Sequence, residues 1–194
     1  MSYSNIRNAY IDNFVHVTHK QTEYYTEKLN KTDFKHHIYI IIPCYNFQDY
    51  IEECLNSVIN QKYDNYTCII INDGSTDYTL SIINSIKNNK MIVLDYEENK
   101  GAAFGKYAGF MKARELSNPN DIVLVLDGDD YLLPNSLSKI NDIYCNEKCL
   151  FTSGSHTGKI FKNDNIQLDI SDINNFRKDQ WIYKHPRTFK SFLL

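Results

Sequence analysis

Four short apolar runs, rich in β-branched residues, constrain this chain more than any other feature. They are Ile38-Tyr39-Ile40-Ile41-Ile42, Cys68-Ile69-Ile70-Ile71, Met91-Ile92-Val93-Leu94 and Ile122-Val123-Leu124-Val125-Leu126. A run apolar on both of its alternating faces reads as a strand covered on both sides. Helical patterns separate the runs. Ile51, Cys54, Leu55, Val58 and Ile59 make one stripe, and Leu80, Ile83 and Ile86 a second. An Ala- and Lys-rich stretch fills Gly101 to Leu116, and Leu137, Ile140 and Ile143 follow Pro134. Strands alternating with helices predict an α/β fold, a mostly parallel sheet flanked by helices. In such sheets ligands sit outside the carboxyl ends of the strands. Three polar clusters fall there: Pro43-Cys44-Tyr45-Asn46, Asn72-Asp73-Gly74-Ser75 and Asp127-Gly128-Asp129-Asp130.

The rest of the chain narrows the function classes. Its 194 residues are 42% hydrophobic, with 21 basic against 24 acidic side chains and a formal charge of -3. That excludes a disordered chain and argues against a nucleic-acid binder working through bulk charge. No apolar run approaches the roughly 20 residues that span a bilayer, and no secretory segment opens the chain. The expectation is a cytoplasmic protein without a transmembrane segment. Five cysteines, an odd and scattered set, read as reduced thiols. Cys145 and Cys149 have the spacing of a zinc half-site but no second ligand pair. Residues 1–36 read as a helical arm with an apolar stripe of Ile6, Tyr10, Phe14 and Val17. This arm is a docking element through which the chain would oligomerise, and its His16 and His19 read as solvated positions rather than metal ligands. Residues 37–194 read as one α/β domain.

Three carboxylates within four residues repel unless a proton or a cation neutralises them. Asp127, Asp129 and Asp130 therefore suit Mg²⁺ or Mn²⁺, whose shells are commonly completed by substrate phosphates. The plain alternative is a hydrophilic turn. Asp73 stands at a strand tip, where a carboxylate can accept a hydrogen bond from a nucleobase N–H, whereas Thr76 or Asp77 reads as a helix cap. Tyr45 offers an aromatic face for the same base. Asn99-Lys100-Gly101 and Lys106, at the opening of a helix, could meet a diphosphate. Neither a Walker A nor a G-x-G-x-x-G pattern occurs.

In order and spacing, Ile40-Ile41-Ile42-Pro43-Cys44-Tyr45-Asn46, Cys54-Leu55-Asn56-Ser57-Val58-Ile59-Asn60-Gln61, Ile71-Asn72-Asp73-Gly74-Ser75-Thr76-Asp77, Asn99-Lys100-Gly101 with Ala108, and Leu126-Asp127-Gly128-Asp129-Asp130 resemble the family-2 glycosyltransferases of the GT-A fold. The resemblance covers Ile38 to Pro134, about half the chain. It implies a Rossmann-like nucleotide-diphospho-sugar transferase and an inverting transfer from a donor, commonly a UDP-sugar, with Mn²⁺ or Mg²⁺. It places Pro43, Tyr45 and Asp73 at the nucleobase and Lys106 near the base or diphosphate. Asp127 falls at the first position of the D-x-D motif, near ribose and metal; Asp129 falls at the second, on the metal, with Asp130 beside them. Asn72 departs from the double aspartate of many relatives.

The catalytic base is not identified. Little chain follows the acidic turn, so the acceptor side reads as short or incomplete. Asp164, Asp169, Asp172 and Asp179 remain, with Asp169, Asp172 and Asp179 the candidates for the base; otherwise it comes from a partner or is missing. Trp181 to Lys190 resembles the stretch preceding the acceptor segment in some relatives. Its His185 and Arg187 are candidates for the diphosphate, against a reading as a structural strand and turn. A missing base would leave a nucleotide-sugar-binding subunit with slow donor hydrolysis at most. A sugar nucleotidyltransferase would show a Gly-rich loop where Pro43-Cys44-Tyr45-Asn46 stands, and an aspartyl phosphatase would carry paired aspartates there.

Overall fold

A computed structural model describes residues 35–146, 151–154 and 184–194. Six strands form one sheet: β1 (Ile38–Cys44), β2 (Tyr66–Asp73), β3 (Met91–Tyr96), β4 (Ile122–Val125), β5 (Phe151–Gly154) and β6 (Lys184–Lys190). The helices are α1 (Ile51–Ile59), α2 (Thr79–Ile86), α3 (Ala102–Leu116) and α4 (Ser136–Asn146), and a 3-10 turn closes Ser191–Leu193. Sheet order is β3-β2-β1-β4-β6-β5. β1 pairs in parallel with β2 and β4, and β2 with β3. β6 runs antiparallel between β4 and β5. The four apolar runs are thus the four parallel strands. Of the polar segment from Trp181 to Lys190, residues Lys184–Lys190 are a strand.

Alternation along each strand sorts the core into two layers. Ile38, Ile40 and Ile42 of β1, Cys68 and Ile70 of β2, and Ile122 and Leu124 of β4 face one way. They pack with Ile51, Cys54, Leu55 and Val58 of α1, Ile83 of α2, and Leu137, Ile140 and Tyr144 of α4. Tyr39, Ile41, Ile69, Ile71 and Val123 face the other way, onto Ala108 and Ala113 of α3. This second face is covered by a helix of small residues. An added Cβ on Gly109 would lie 2.3 Å from Ile41 Cγ2 and 2.9 Å from Ile71 Cδ1, and one on Gly105 would lie 3.2 Å from Pro43 Cβ. Only glycine lets α3 lie this close to the sheet. The helix is fixed at its far end by the Tyr39 hydroxyl, which donates to the Leu116 carbonyl at 2.9 Å.

At the foot of the first face lies a buried polar cluster. The His36 amide donates to Asn141 Oδ1 at 2.9 Å, and the Tyr63 hydroxyl reaches the same oxygen at 3.0 Å. Lys190, only 3% exposed, sets its ammonium 3.0 Å from the Asn120 carbonyl, 3.3 Å from the His36 ring nitrogens and 4.9 Å from the centre of the Tyr144 ring. Burial, and then the charge of Lys190, holds the His36 imidazole down at about 4. His36, assigned to the arm in sequence, therefore packs with the domain. The rest of the expected arm, with His16 and His19, lies outside the described residues. Cys149 lies outside them too, so the Cys145–Cys149 pairing has only its first member on α4. Among the described residues no helix is long and apolar enough to cross a membrane.

Candidate active site

Strand alternation, carried past the strand ends, builds the site. Pro43 and Asp73 share the α3 face with Ile41 and Ile71. The β1–β4 ladder continues beyond β4, with the Leu126 amide donating to the Ile41 carbonyl at 3.0 Å and the Gly128 amide to the Pro43 carbonyl at 3.3 Å. Asp127, between them, turns to the α3 face as well. There it meets Lys106 from the second turn of α3, with Nζ 3.0 Å from Oδ1 and both side chains about a third exposed (32% and 28%). Arg187 of β6 pairs with Val125 in antiparallel register. Residues opposite each other in such a ladder share a face. Arg187 is exposed on this same face, near the same rim.

Asp73 is 3% exposed and grips the loop that starts α3. Its Oδ2 accepts the Gly101 amide at 2.7 Å, and its two oxygens accept the Lys100 amide at 3.0 and 3.1 Å. A carboxylate against these amides suits the positive end of a helix dipole. The neighbouring Gly74 (φ +70°) lets the loop lie directly on the strand tip: an added Cβ would meet Asn99 N at 2.4 Å and Glu98 C at 2.5 Å. On the outside of this loop the Lys100 ammonium stands 4.8 Å from the Phe104 ring centre and 5.3 Å from that of Tyr96.

The loops after β1 and β2 are stitched together. Asn46 takes a left-handed turn (φ 55°). Its amide donates to Ser75 Oγ at 3.0 Å, and its Oδ1 accepts the Thr76 amide at 2.8 Å. Asp77 accepts the Thr79 amide at the start of α2 and the Gln48 amide. Its slight burial disfavours charge, but the bonds from Thr79 and Gln48 outweigh that and hold its carboxyl below the usual range. Of the Thr76/Asp77 alternative, Asp77 is the residue whose side chain bonds the first amide of α2, while the N-cap position itself is Tyr78 and carries no side-chain cap. Tyr45 projects from this seam, 42% exposed. Cys44, at the tip of β1 but on the other face, is chemically quiet. Burial, then the charges of Asp77, Asp73 and Asp95, pushes its thiol up to about 12.

The acidic turn is tight. The Asp130 amide closes onto the Asp127 carbonyl at 2.9 Å. An added Cβ on Gly128 would lie 2.8 Å from Phe47 Cδ2 and 3.1 Å from Cys44 Cβ, so a side chain here would have to displace the Phe47 ring. Asp129 is exposed and Asp130 half-buried. Among the described residues, no three His, Cys, Asp or Glu side chains converge as a metal cage. The donor set nevertheless fits a hard divalent cation. It consists of carboxylate oxygens on one turn, and Asp127 already holds a cationic group, the Lys106 ammonium. A metal here would take its remaining ligands from water and from a bound molecule.

Two supports of this turn carried no chemical signal in the sequence. Ser57 Oγ accepts the Leu132 amide at 2.9 Å. Gln61 donates to the Leu133 carbonyl at 3.0 Å and accepts the Leu137 amide at 3.2 Å. The Cys54–Gln61 motif thereby anchors the chain just past Asp130 to α1. Asn72 was also unexplained in sequence. Its Nδ2 donates to Asp95 Oδ1 at 2.8 Å, and its Oδ1, fully buried, has no hydrogen-bond partner among the described residues. The structure thus gathers Pro43, Asp73, Lys106, Asp127 and Arg187 on one face, with Tyr45, Asp129 and Asp130 at the rim. His185 takes a place in β6. Asp164, Asp169, Asp172 and Asp179 lie outside the described residues.

Residues 39–191 match the family model described as glycosyl transferase family 2. A UDP-N-acetylglucosamine–dolichyl-phosphate N-acetylglucosaminyltransferase of Methanococcus voltae is 34% identical over 152 residues, 70% of this chain and 59% of the relative. An uncharacterized glycosyltransferase of Haemophilus influenzae is 31% identical over 153 residues, 71% of this chain and 47% of the relative. The chain thus spans about half the length of these curated relatives. Among solved structures, Staphylococcus aureus TarS 1–349 in complex with UDP-GlcNAc superposes with a TM-score of 0.61 at 20% identity, over 80% of this chain and 45% of that one. The mannosyltransferase PcManGT of Pyrobaculum calidifontis, in complex with GDP-Man and Mn²⁺, superposes with a TM-score of 0.57 at 15% identity, over 96% of this chain and 55% of that one. The chain belongs to glycosyl transferase family 2 and has its GT-A fold.

Proposed function

We propose that the chain binds a nucleotide-diphospho-sugar, with uridine as the base, and transfers the sugar with inversion to an acceptor hydroxyl in a reaction that needs Mn²⁺ or Mg²⁺. One observation carries this reading: Pro43, Asp73, Lys106 and Asp127 converge at one sheet edge, with a cationic group already against Asp127. The donor named for the Methanococcus relative and the UDP-GlcNAc held by TarS favour the uridine donor, and the Mn²⁺ held by PcManGT favours the metal.

Tyr45 stacks on the base. Asp73 uses three of its roughly four lone-pair positions on the Lys100 and Gly101 amides and keeps one for the base N–H. Asp127 and Asp129 would hold the cation, with Asp130 beside them. When bound, the cation neutralises charge on the leaving diphosphate. Lys106 and Arg187 add fixed positive charge where that diphosphate lies, a preorganised contribution that needs no rearrangement during reaction. His185 is the further candidate for this anion. The acceptor oxygen forms its bond to the anomeric carbon as the bond to the diphosphate breaks. Its proton passes to a carboxylate, for which Asp169, Asp172 and Asp179 are this chain's candidates. Such base assistance typically contributes 10²–10⁴-fold.

Thermal shifts with UDP, GDP and their sugars, with and without Mn²⁺, test the donor; a donor-turnover assay tests the chemistry. UDP with Mn²⁺ should stabilise the fold, as any ligand selective for the native state does. Asp129→Ala should abolish metal-dependent turnover, and turnover that is unchanged would refute the metal assignment. Stabilisation without turnover, whatever acceptor is offered, would assign a nucleotide-sugar-binding subunit instead.

A further inference from the structure

We propose that Lys106 is a built-in counter-ion of the donor site, one that makes binding of the divalent cation and of the diphosphate depend on each other. The proposal rests on the donor-site reading above and goes beyond it by giving Lys106 a role before any ligand arrives. Its ammonium lies 3.0 Å from Asp127 Oδ1. A partly exposed pair of this kind contributes little to stability. Nor does α3 need it as an anchor, because Asp73 grips its start and Tyr39 its end. What the pair does is supply positive charge to a carboxylate that a cation would otherwise claim.

The consequences follow from charge and reach. A divalent ion approaching Asp127 alone meets an ammonium already bound to that carboxylate, and like charges this close repel. Lys106 carries its charge on a flexible four-carbon stem, so it can leave Asp127 once another anion is within reach. A diphosphate arriving with the ion is that anion. The ammonium would then move from carboxylate to phosphate, leaving Asp127 free to hold the ion. Cation without nucleotide is disfavoured, and the pair together is favoured. Thermodynamic linkage requires that each tighten the other by the same factor.

The test is a Mn²⁺ titration followed by the electron paramagnetic resonance of the free ion, with and without UDP, on the wild type, Lys106→Met and Lys106→Arg. Met and Lys have similar helix propensity, so α3 should stay folded, which circular dichroism checks. In Lys106→Met, Mn²⁺ alone should bind roughly 5-fold or more tightly than in the wild type, and the tightening by UDP should shrink by at least that factor. Lys106→Arg, which keeps the charge, should behave as the wild type. Unchanged or weaker Mn²⁺ binding in Lys106→Met overturns the proposal, as does an Arg variant that behaves like Met. Should the wild type take up Mn²⁺ neither alone nor with UDP, the donor-site reading fails first and this inference with it. Asp127→Asn should lose the Mn²⁺ response, confirming that the titration reads this turn.

Discussion

The two faces of the sheet solve opposite problems. On the α1, α2 and α4 side, large side chains fill the space, and polar groups are sealed in: His36, Lys190, Asn141 and Tyr63 bond to one another away from water. On the α3 side the helix is thin. Gly105, Ala108, Gly109 and Ala113 bring its axis close, so a lysine from its second turn reaches a carboxylate at the end of β4. One face trades reach for bulk, and the other trades bulk for reach. Charged groups meet where the backbone can approach, and that is the face the candidate site occupies.

The largest effect should come from thickening the thin face. Gly109→Val places methyl groups where even a Cβ lies 2.3 Å from Ile41. We expect a loss of about 3 kcal/mol, at the upper end of overpacking costs, read as a fall in urea midpoint. A change under about 0.5 kcal/mol would mean that α3 does not lie this near the sheet. The thick face should respond to acid. His36 titrates near 4 when folded and near 6.5 when unfolded, so the unfolded chain binds the extra proton between those values. Stability should therefore fall as pH drops from about 6.5 to 4, by up to about 1.4 kcal/mol per unit. Denaturation midpoints across that window should show the slope, and His36→Gln should flatten it.

Asn72→Asp is a smaller and sharper probe. It sets a second carboxylate where Asn72 now donates to Asp95 at 2.8 Å. Two carboxylates this close raise one folded-state pKa, so stability should drop by about 1–2 kcal/mol at neutral pH. The loss should be regained as pH falls through that raised value; a deficit that persists in acid would point to lost packing instead. Smallest of all, Lys112→Ala breaks an exposed pair with Glu115 on the same helix as Lys106. Melting curves should place it within about 0.5 kcal/mol of the wild type.

These contrasts were only partly legible in the sequence. The parallel strands announce themselves because both of their faces are buried, which forces uninterrupted runs of Ile, Val and Leu. β6 carries Lys, His, Pro and Arg and reads as surface, because its burial depends on partners, such as the Asn120 carbonyl beside Lys190, that no local pattern encodes. The carboxylates of the site were visible by type and by their place at strand ends. The partners of Asp73 were not, since the amides of Lys100 and Gly101 exist at every residue and leave no trace in composition. The Lys106–Asp127 pair joins positions twenty-one residues apart, and only the narrowness of α3, itself a matter of two glycines, brings them together.

The place of β6 between β4 and β5 has a consequence for synthesis. Pro43, Tyr45, Asp73, Lys106 and the Asp127–Asp130 turn all precede β6 in the chain, so β1 to β4 with α3 can assemble while the ribosome is still adding the later segment. Until β6 arrives, the outer hydrogen-bonding edge of β4 stays open, a template for any stray strand. The nascent protein would thus bring most of the candidate site together before it owns a protected flank.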